Sequence, residues 1–562
     1  MTRSVSPRGQ PPCARRTPAR FRPQFEQLED RTAPAVLTVT STADTTAQGT
    51  VLTLREAVEL VDGTLGRSLM PQEQQQVSGL LGSNDTIRFS LPPGPQTITL
   101  TGAELDLTSP VTITGPGAGA LTIDADHQGR VFTVGRIFDP EPGLVVSLSG
   151  LTVADGSTPG PDDYGAGLLN FGTASLSKMA FIGDHAGSHG GGAIYNVGSL
   201  TLTDSTLLDN STDSGGPGAG IVNTSSGTLT VRNTTFAGNT AGDGGDGGAI
   251  NNSGPLTVSG CTFVNNTAGS DGAGINNTGP LTVSDTVFVG NIAFSDGGAF
   301  WNSGTLALSG STLRGNFAAS DGGGIYNNGL GTLTLLNSTV SENVAGTAGG
   351  GIQNERVATL IHVTVAANQT LTGSGGGIHS IDVATLTLTN CTFTGNHAAS
   401  RGSGGAVASD GTLTVLDSSF AGNSSAANGG AIANGGTLTL TNCTLWGNVA
   451  GADGGAIEND RTAGFFHVTI SGNRAVGGSG GGIFTLTGAV TLRHTLGAHN
   501  FRGPAPGKAP SNIAGAVVNR RGARGRSSTA RRALTNVLRQ HRGMIADLRH
   551  TDGREDSDAS GL

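Results

Sequence analysis

The chain has 562 residues, a net charge of −9, 93 glycines, 4% aromatic residues and 13% charged residues. So low a charged share excludes an ordinary globular surface, and so few aromatics argue against a core of large rings. The negative charge excludes general nucleic-acid binding by the body of the chain, and Val, Leu and Ile recurring between the glycines exclude disorder there.

Residues 1–34 are rich in Pro and Arg and are expected to be disordered. They show no apolar core of a classical secretory signal, and no run in the chain reaches transmembrane length. Residues 35–164 alternate short apolar strands with turns and contain the clearest helix, TVLTLREAVELVDG at 50–63. Thr53 followed by Glu56 is a capping box. Leu54, Ala57, Val58 and Val61 share one helical face. A sheet stack has open edges that invite aggregation, and this face is predicted to cap the first one.

Residues 165–500 are a repeat: GG-[AG]-I-x-N, then LTLT, then a small residue, Thr, an apolar residue, two variable positions and Asn. The apolar column runs from Leu168 and Ile194 through Ile325 and Ile352 to Ile483, in thirteen copies 25 to 29 residues apart. Each copy holds three strand-sized pieces, such as GIYN, GTLTLLN and STVSEN within 324–343. Period-two alternation and the absence of helical spacing predict an all-β fold. The expected form is a single right-handed parallel β-helix of the pectate-lyase type, with three short strands per coil and an N-terminal capping helix. Residues 501–562 differ. SNIAGAV at 511–517 reads as the start of another coil, after which the chain turns basic and is expected to be disordered.

Equivalent residues on adjacent coils lie ~4.8 Å apart, so the columns carry geometry. Cys261, Cys391 and Cys443 share the small-residue column, too far apart to pair, and are predicted to be free and buried. Four carboxylates stack at Asp246, Asp271, Asp296 and Asp321. Such a stack either takes a calcium-like cation through its oxygens or is a solvated Asp-Gly turn. The position before the small residue runs from Asp204 and Asn233 through Asn337, His362, Asn390, Asp417, Asn442 and His467 to Arg493. Asn, Asp and Gly there predict a left-handed turn. Asn columns closing the first strand (Asn302, Asn327, Asn354) and the third (Asn291 to Asn368) are predicted to be architectural ladders. Tyr326 is expected to point outward, in a column with Tyr195, Val222 and Trp301. The repeat is most disturbed at GIQNERVATLIHVTV, 351–365, where Glu355, Arg356 and His362 are the candidate catalytic set. A related break at 457–470 brings Glu458, Asp460, Arg461 and His467.

GGAI at 191–194 and 247–250, with FAGN at 236–239 and 420–423, resembles the repeats of polymorphic outer-membrane proteins. LTLREAVEL at 52–60 resembles the CSLREA segment of exported bacterial β-helix proteins, with Leu52 for its Cys and Thr53 for its Ser. The stretches at 84–102, 111–124 and 148–156 are similar to the opening coils of that group, which includes choice-of-anchor proteins. RFRPQFEQLEDRTAPAV at 20–36 is similar to a sorting stretch of large planctomycete exported proteins. The resemblance implies a right-handed parallel β-helix at or outside the cell surface. No membrane β-barrel pattern follows residue 500, unlike in polymorphic outer-membrane proteins.

The expected function is therefore non-enzymatic: an extracellular or cell-surface β-helix that adheres to polysaccharide or to cell-envelope components. A polysaccharide lyase or glycoside hydrolase on the same fold is the alternative, and an intracellular scaffold is a third reading. No cofactor is required, and calcium is the one ion the Asp column suggests.

Overall fold

A computed structural model describes residues 34–136, 143–160, 164–504, 509–515 and 517–519. The chain is a parallel β-solenoid. The three sequence pieces are its three main strands, Ile325–Asn327, Thr332–Leu336 and Thr339–Ser341 in one coil. Each pairs in parallel and in register with the next coil, as in Ile325↔Ile352, Leu333↔Ala358 and Val340↔Val365. A fourth ladder of two-residue strands, such as Val344–Ala345, crosses the corner after the closing Asn. Two residues are too few to show a period in sequence. Among the described residues the four sheets hold 19, 16, 15 and 16 strands.

Alternation builds the core. Leu333 and Leu335 point inward and are fully buried, while Thr332 and Leu336 are exposed and Thr334 lies between. Ile325 and Val340 complete the coil's interior. The expectation of a core without large rings is corrected here. Phe236, Phe263 and Phe288 stack inside the solenoid with centroids 4.6 and 4.5 Å apart, and Phe393 stacks on Phe420 at 4.7 Å. Few aromatics suffice, because the repeat places Phe181, Phe236, Phe263, Phe288, Phe393 and Phe420 in the same internal file. The turns need glycine for a specific reason. Gly322 has φ 65°, and a Cβ there would sit 2.4 Å from the Ile325 carbonyl oxygen.

Both Asn columns are buried ladders. Asn170 Nδ2 donates to Asn196 Oδ1 at 2.7 Å, and such bonds continue coil by coil to Asn354. The second ladder runs from Asn210 to Asn500. Within it Asn291 Nδ2 also donates to the Phe263 carbonyl at 3.1 Å, and Asn316 Oδ1 also accepts the Asn291 N–H. The donors and acceptors of these buried amides are thereby satisfied.

The cap helix spans Leu54–Val61, with Thr53 and Glu56 forming the capping box. Leu54, Ala57 and Val58 are buried and Val61 packs against the core. Glu56 is buried as well, because Arg67 bridges it to Glu73. At the other end pairing continues past residue 500: Ile483 pairs with Ile513 and Val490 with Val517, both in parallel. Cys261, Cys391 and Cys443 are free and buried, and burial pushes the Cys443 thiol up to about 11. No helix among the described residues is long and apolar enough to cross a membrane. Residues 1–33, with most of the sorting stretch, and the basic region from 520 onward lie outside the described residues.

Candidate functional site

The sheet containing Ile325–Asn327 is three residues wide, like that of Thr339–Ser341 and narrower than the five-residue sheet of Thr332–Leu336. Its middle residues point outward, and the register lines up Trp301, Tyr326, Gln353, His379, Ala408, Ala433 and Glu458 on successive coils. A three-residue strand is flanked closely by turns on both sides, so this outward column lies in a trough. Gln353 is only 3% exposed and Glu458 only 6%.

The upstream wall carries the Asp column, and there the four carboxylates form a ladder. Asp246 Oδ1 accepts the Asp271 N–H at 3.1 Å, Asp271 that of Asp296 at 3.0 Å, and Asp296 that of Asp321 at 2.9 Å. Asp321 accepts from the Ala348 N–H at 2.8 Å and from the Thr347 hydroxyl. Each carboxylate thus spends an oxygen on the backbone of the next coil. Among the described residues no group of three or more His, Cys, Asp or Glu side chains is arranged to hold a metal ion. Burial raises the Asp246 carboxyl. Burial likewise raises Asp296, to about 6, with Asp271, Asp321 and Glu355 adding to the effect against the Asp321 amide bond.

The downstream wall varies in height. Residues 303–304, 355–356, 410–411, 435–436 and 460–461 cross it in two-residue turns, whereas 328–331 and 381–384 take four residues. The two raised turns enclose a hollow of about 360 Å³ over Glu355 and Arg356, lined also by Gly329 and Val383. Beyond 381–384 a second hollow of about 790 Å³ extends over Asp382, Asp410, Gly435 and Arg461. Gly435 keeps it open, since a Cβ there would lie 2.3 Å from Asp410 Oδ1.

Polar side chains link the floor to this wall. The Tyr326 hydroxyl donates to Glu355 Oε1 at 2.7 Å, and Arg356 Nη1 donates to the Gly329 carbonyl at 3.0 Å. Burial, then the bond to Glu355, raises the Tyr326 phenol. Gln353 Oε1 lies 2.9 Å from His379 Nδ1, and His379 Nε2 lies 4.0 Å from Asp410 Oδ2. Burial lowers the His379 imidazole below its usual range. Burial, and then the neighbouring Asp460 carboxyl, raises the Glu458 carboxyl.

The candidate catalytic set is therefore split. Glu355 and Arg356 sit in the first hollow. His362 lies across the strand Val357–Ile361, roughly 20 Å from Arg356 at ~3.3 Å per residue. It occupies the left-handed turn column with φ 55°, beside Asn390 Nδ2 at 3.3 Å. The related break divides the same way: Glu458, Asp460 and Arg461 face the trough, and His467 lies in the turn column. The last residue of that column is His494, not Arg493, because Phe466 pairs with Arg493. Sequence reading missed Gln353, His379 and Asp410. Their signal is coil length. Ile325 to Ile352 is 27 residues and Ile378 to Val407 is 29, against 25 from Ile250 to Ile275.

A family model described as "Right handed beta helix region" matches residues 193–420 and 351–503, together more than half of the chain. No curated protein matches by sequence. Among solved structures the chain is similar to the mannuronan C-5 epimerase AlgE6 A-module of Azotobacter vinelandii, at 14% identity over 78% of this chain and 92% of that one, TM-score 0.22. It is similar to PfbA, a surface adhesin of Streptococcus pneumoniae, at 10% identity over 74% and 87%, TM-score 0.27. It is also similar to the PL6 family alginate lyase AlyGC, at 10% identity over 88% and 90%, TM-score 0.22.

Proposed function

This chain belongs to the right-handed beta helix family, and from that premise we propose that it is a non-enzymatic extracellular or cell-surface protein that binds polysaccharide along the trough. The observation that carries the reading is the outward column itself. Trp301, Tyr326 and His379 present ring and imidazole groups in one file, in which the Gln353 amide and the Glu458 carboxyl are buried. Two hollows lie beside it, the first of mixed lining and the second mainly polar. Recognition sites combine concavity with a few fixed polar groups and aromatic surface, and a file of such groups suits a linear chain molecule. Export is part of the proposal. It is supported by the resemblance of 52–60 and 20–36 to segments of exported proteins. Cell-envelope glycan is then the accessible ligand.

One observation favours the enzymatic alternative. Burial and the adjacent Asp460 raise the Glu458 carboxyl, as in a general acid. The closeness of the two carboxyls argues against that role, because glycosidase carboxyls stand ~5 Å or more apart. In the Asp column one oxygen of each carboxylate is committed to a backbone amide, which leaves the calcium reading to the other oxygen.

The test incubates the full chain with a panel of insoluble polysaccharides, with and without calcium. Protein in the pellet and sugar ends or unsaturated products in the supernatant are measured. Retention without release is expected, and Tyr326→Ala with Glu355→Gln should weaken it at least tenfold. Released sugar would overturn the non-enzymatic reading. Retention unchanged in the double variant would overturn the trough as the binding face.

A further inference from the structure

On the corner across the five-residue strand from the trough, the left-handed turn column changes character near its end. From Asp204 to Asn442 its side chains are Asp, Asn, Gly and the single His362. Then His467 and His494 follow on adjacent coils, with φ 57° and 49°. Coil stacking brings the two imidazoles together. Their rings lie nearly parallel at 21°, with centroids 4.9 Å apart, and His467 Nε2 is 3.1 Å from His494 Nδ1. Two nitrogens this close cannot both carry a proton without clashing, so the pair holds at most one N–H between them and offers at least one lone pair inward.

We propose that His467 and His494 chelate a divalent transition-metal ion, Cu²⁺ in preference to Zn²⁺. The geometry points to this in two steps. First, with metal–nitrogen bonds of ~2.0–2.1 Å, nitrogens 3.1 Å apart subtend roughly 95–102° at the metal. That range lies between the right angle of tetragonal Cu²⁺ or Ni²⁺ and the tetrahedral angle of zinc and admits either, so the preference for Cu²⁺ follows from the divalent series, in which it binds imidazole most tightly. Coordination breaks no covalent bond: each ring keeps its proton on the outer nitrogen and gives the inner lone pair. Second, the backbone pre-arranges the ligands. Phe466 pairs with Arg493 in the register that puts the two histidines side by side. The guanidinium of the adjacent Arg493 is held aside over the Phe466 ring, 5.6 Å from its centroid. Two imidazoles leave the remaining positions to water, so the site is open to solvent.

The column supplies its own controls. Asn occupies the same left-handed position at 337, 390 and 442, so His467→Asn and His494→Asn place a residue the fold already accepts. His362 stands beside Asn390, not another histidine, and reports what one imidazole does alone. The full chain is titrated with Cu²⁺ by calorimetry, and the loaded wild type is examined by electron paramagnetic resonance. One Cu²⁺ should bind with an affinity that His467→Asn and His494→Asn each lower at least tenfold and His362→Asn leaves unchanged. The spectrum of the wild type should show two imidazole nitrogens on the copper. Equal loss in all three variants, no loss in any, or a spectrum with one nitrogen or none would overturn the proposal. The spectrum needs no variant to fold.

Discussion

Asp184 opens the second Asn ladder, and one residue there sets a pH dependence. Its N–H donates to Asn210 Oδ1 at 3.0 Å and its Oδ1 accepts the Gly156 N–H at 2.9 Å. Every later rung shown has an amide Nδ2 as a second donor, whereas the buried Oδ2 of Asp184 has no partner. Burial therefore raises its carboxyl well above the ordinary 3.8. A buried neutral acid binds its proton more tightly folded than unfolded. The stability it permits is complete below about pH 3.8 and falls as pH rises, at up to ~1.4 kcal/mol per pH unit, until the folded carboxyl ionises. Asp184→Asn should remove that slope and supply the missing donor. Local hydrogen exchange at Gly156 and Asn210, followed from pH 4 to 8, measures it. A slope unchanged in the variant would show that Asp184 is ionised or solvated in the fold.

Among the elements, the short segment Pro71–Gln74, tied to the cap helix through Arg67, titrates in the opposite direction. Glu73 is buried, accepts the Gly49 and Met70 N–H groups at 3.0 and 2.7 Å, and is paired with Arg67. The Arg67 hydrogen bond leads in lowering its carboxyl to about 2. Its contribution is present above the unfolded value near 4.5 and is lost as pH falls toward 2. Acid should therefore release the cap before the coils, seen as early exchange at Ala57, and Glu73→Gln should abolish the difference between pH 5 and pH 3. Thr53→Ala should cost the helix about 1 kcal/mol by removing its cap oxygen. This helix was legible in the sequence because a capping box and a four-residue apolar face are local signals. The strand trios were legible because thirteen copies average out their noise. The trough was not. Tyr326 reads as one more outward residue, and only the register shows it beside Glu355. His362 fell on the wrong side because a five-residue strand separates it from residues that are neighbours in sequence. His494 was hidden when the last coil was aligned one residue out of step.

In the whole molecule, each coil touches only its neighbours, so coils can be removed singly if the register is kept. That makes the binding face separable from the fold. Residues 275–299 form one 25-residue coil whose downstream turn, 278–279, has two residues, as does that of the next coil, 303–304. Deleting them joins Gly274 to Phe300 and lets Ile250 stack on Phe300, a pairing the sheet already uses between Ile275 and Phe300. Deleting residues 378–406 likewise lets Ile352 stack on Val407. It also removes His379 and the raised turn 381–384 that separates the two hollows. Both deletions should give rods shorter by ~4.8 Å with native β-structure, measured by small-angle scattering and circular dichroism. The first should leave retention on polysaccharide unchanged, and the second should lower it at least tenfold. If both lower it equally, the ligand reads the length of the rod and not the hollows, and adhesion then belongs to the repeat as a whole.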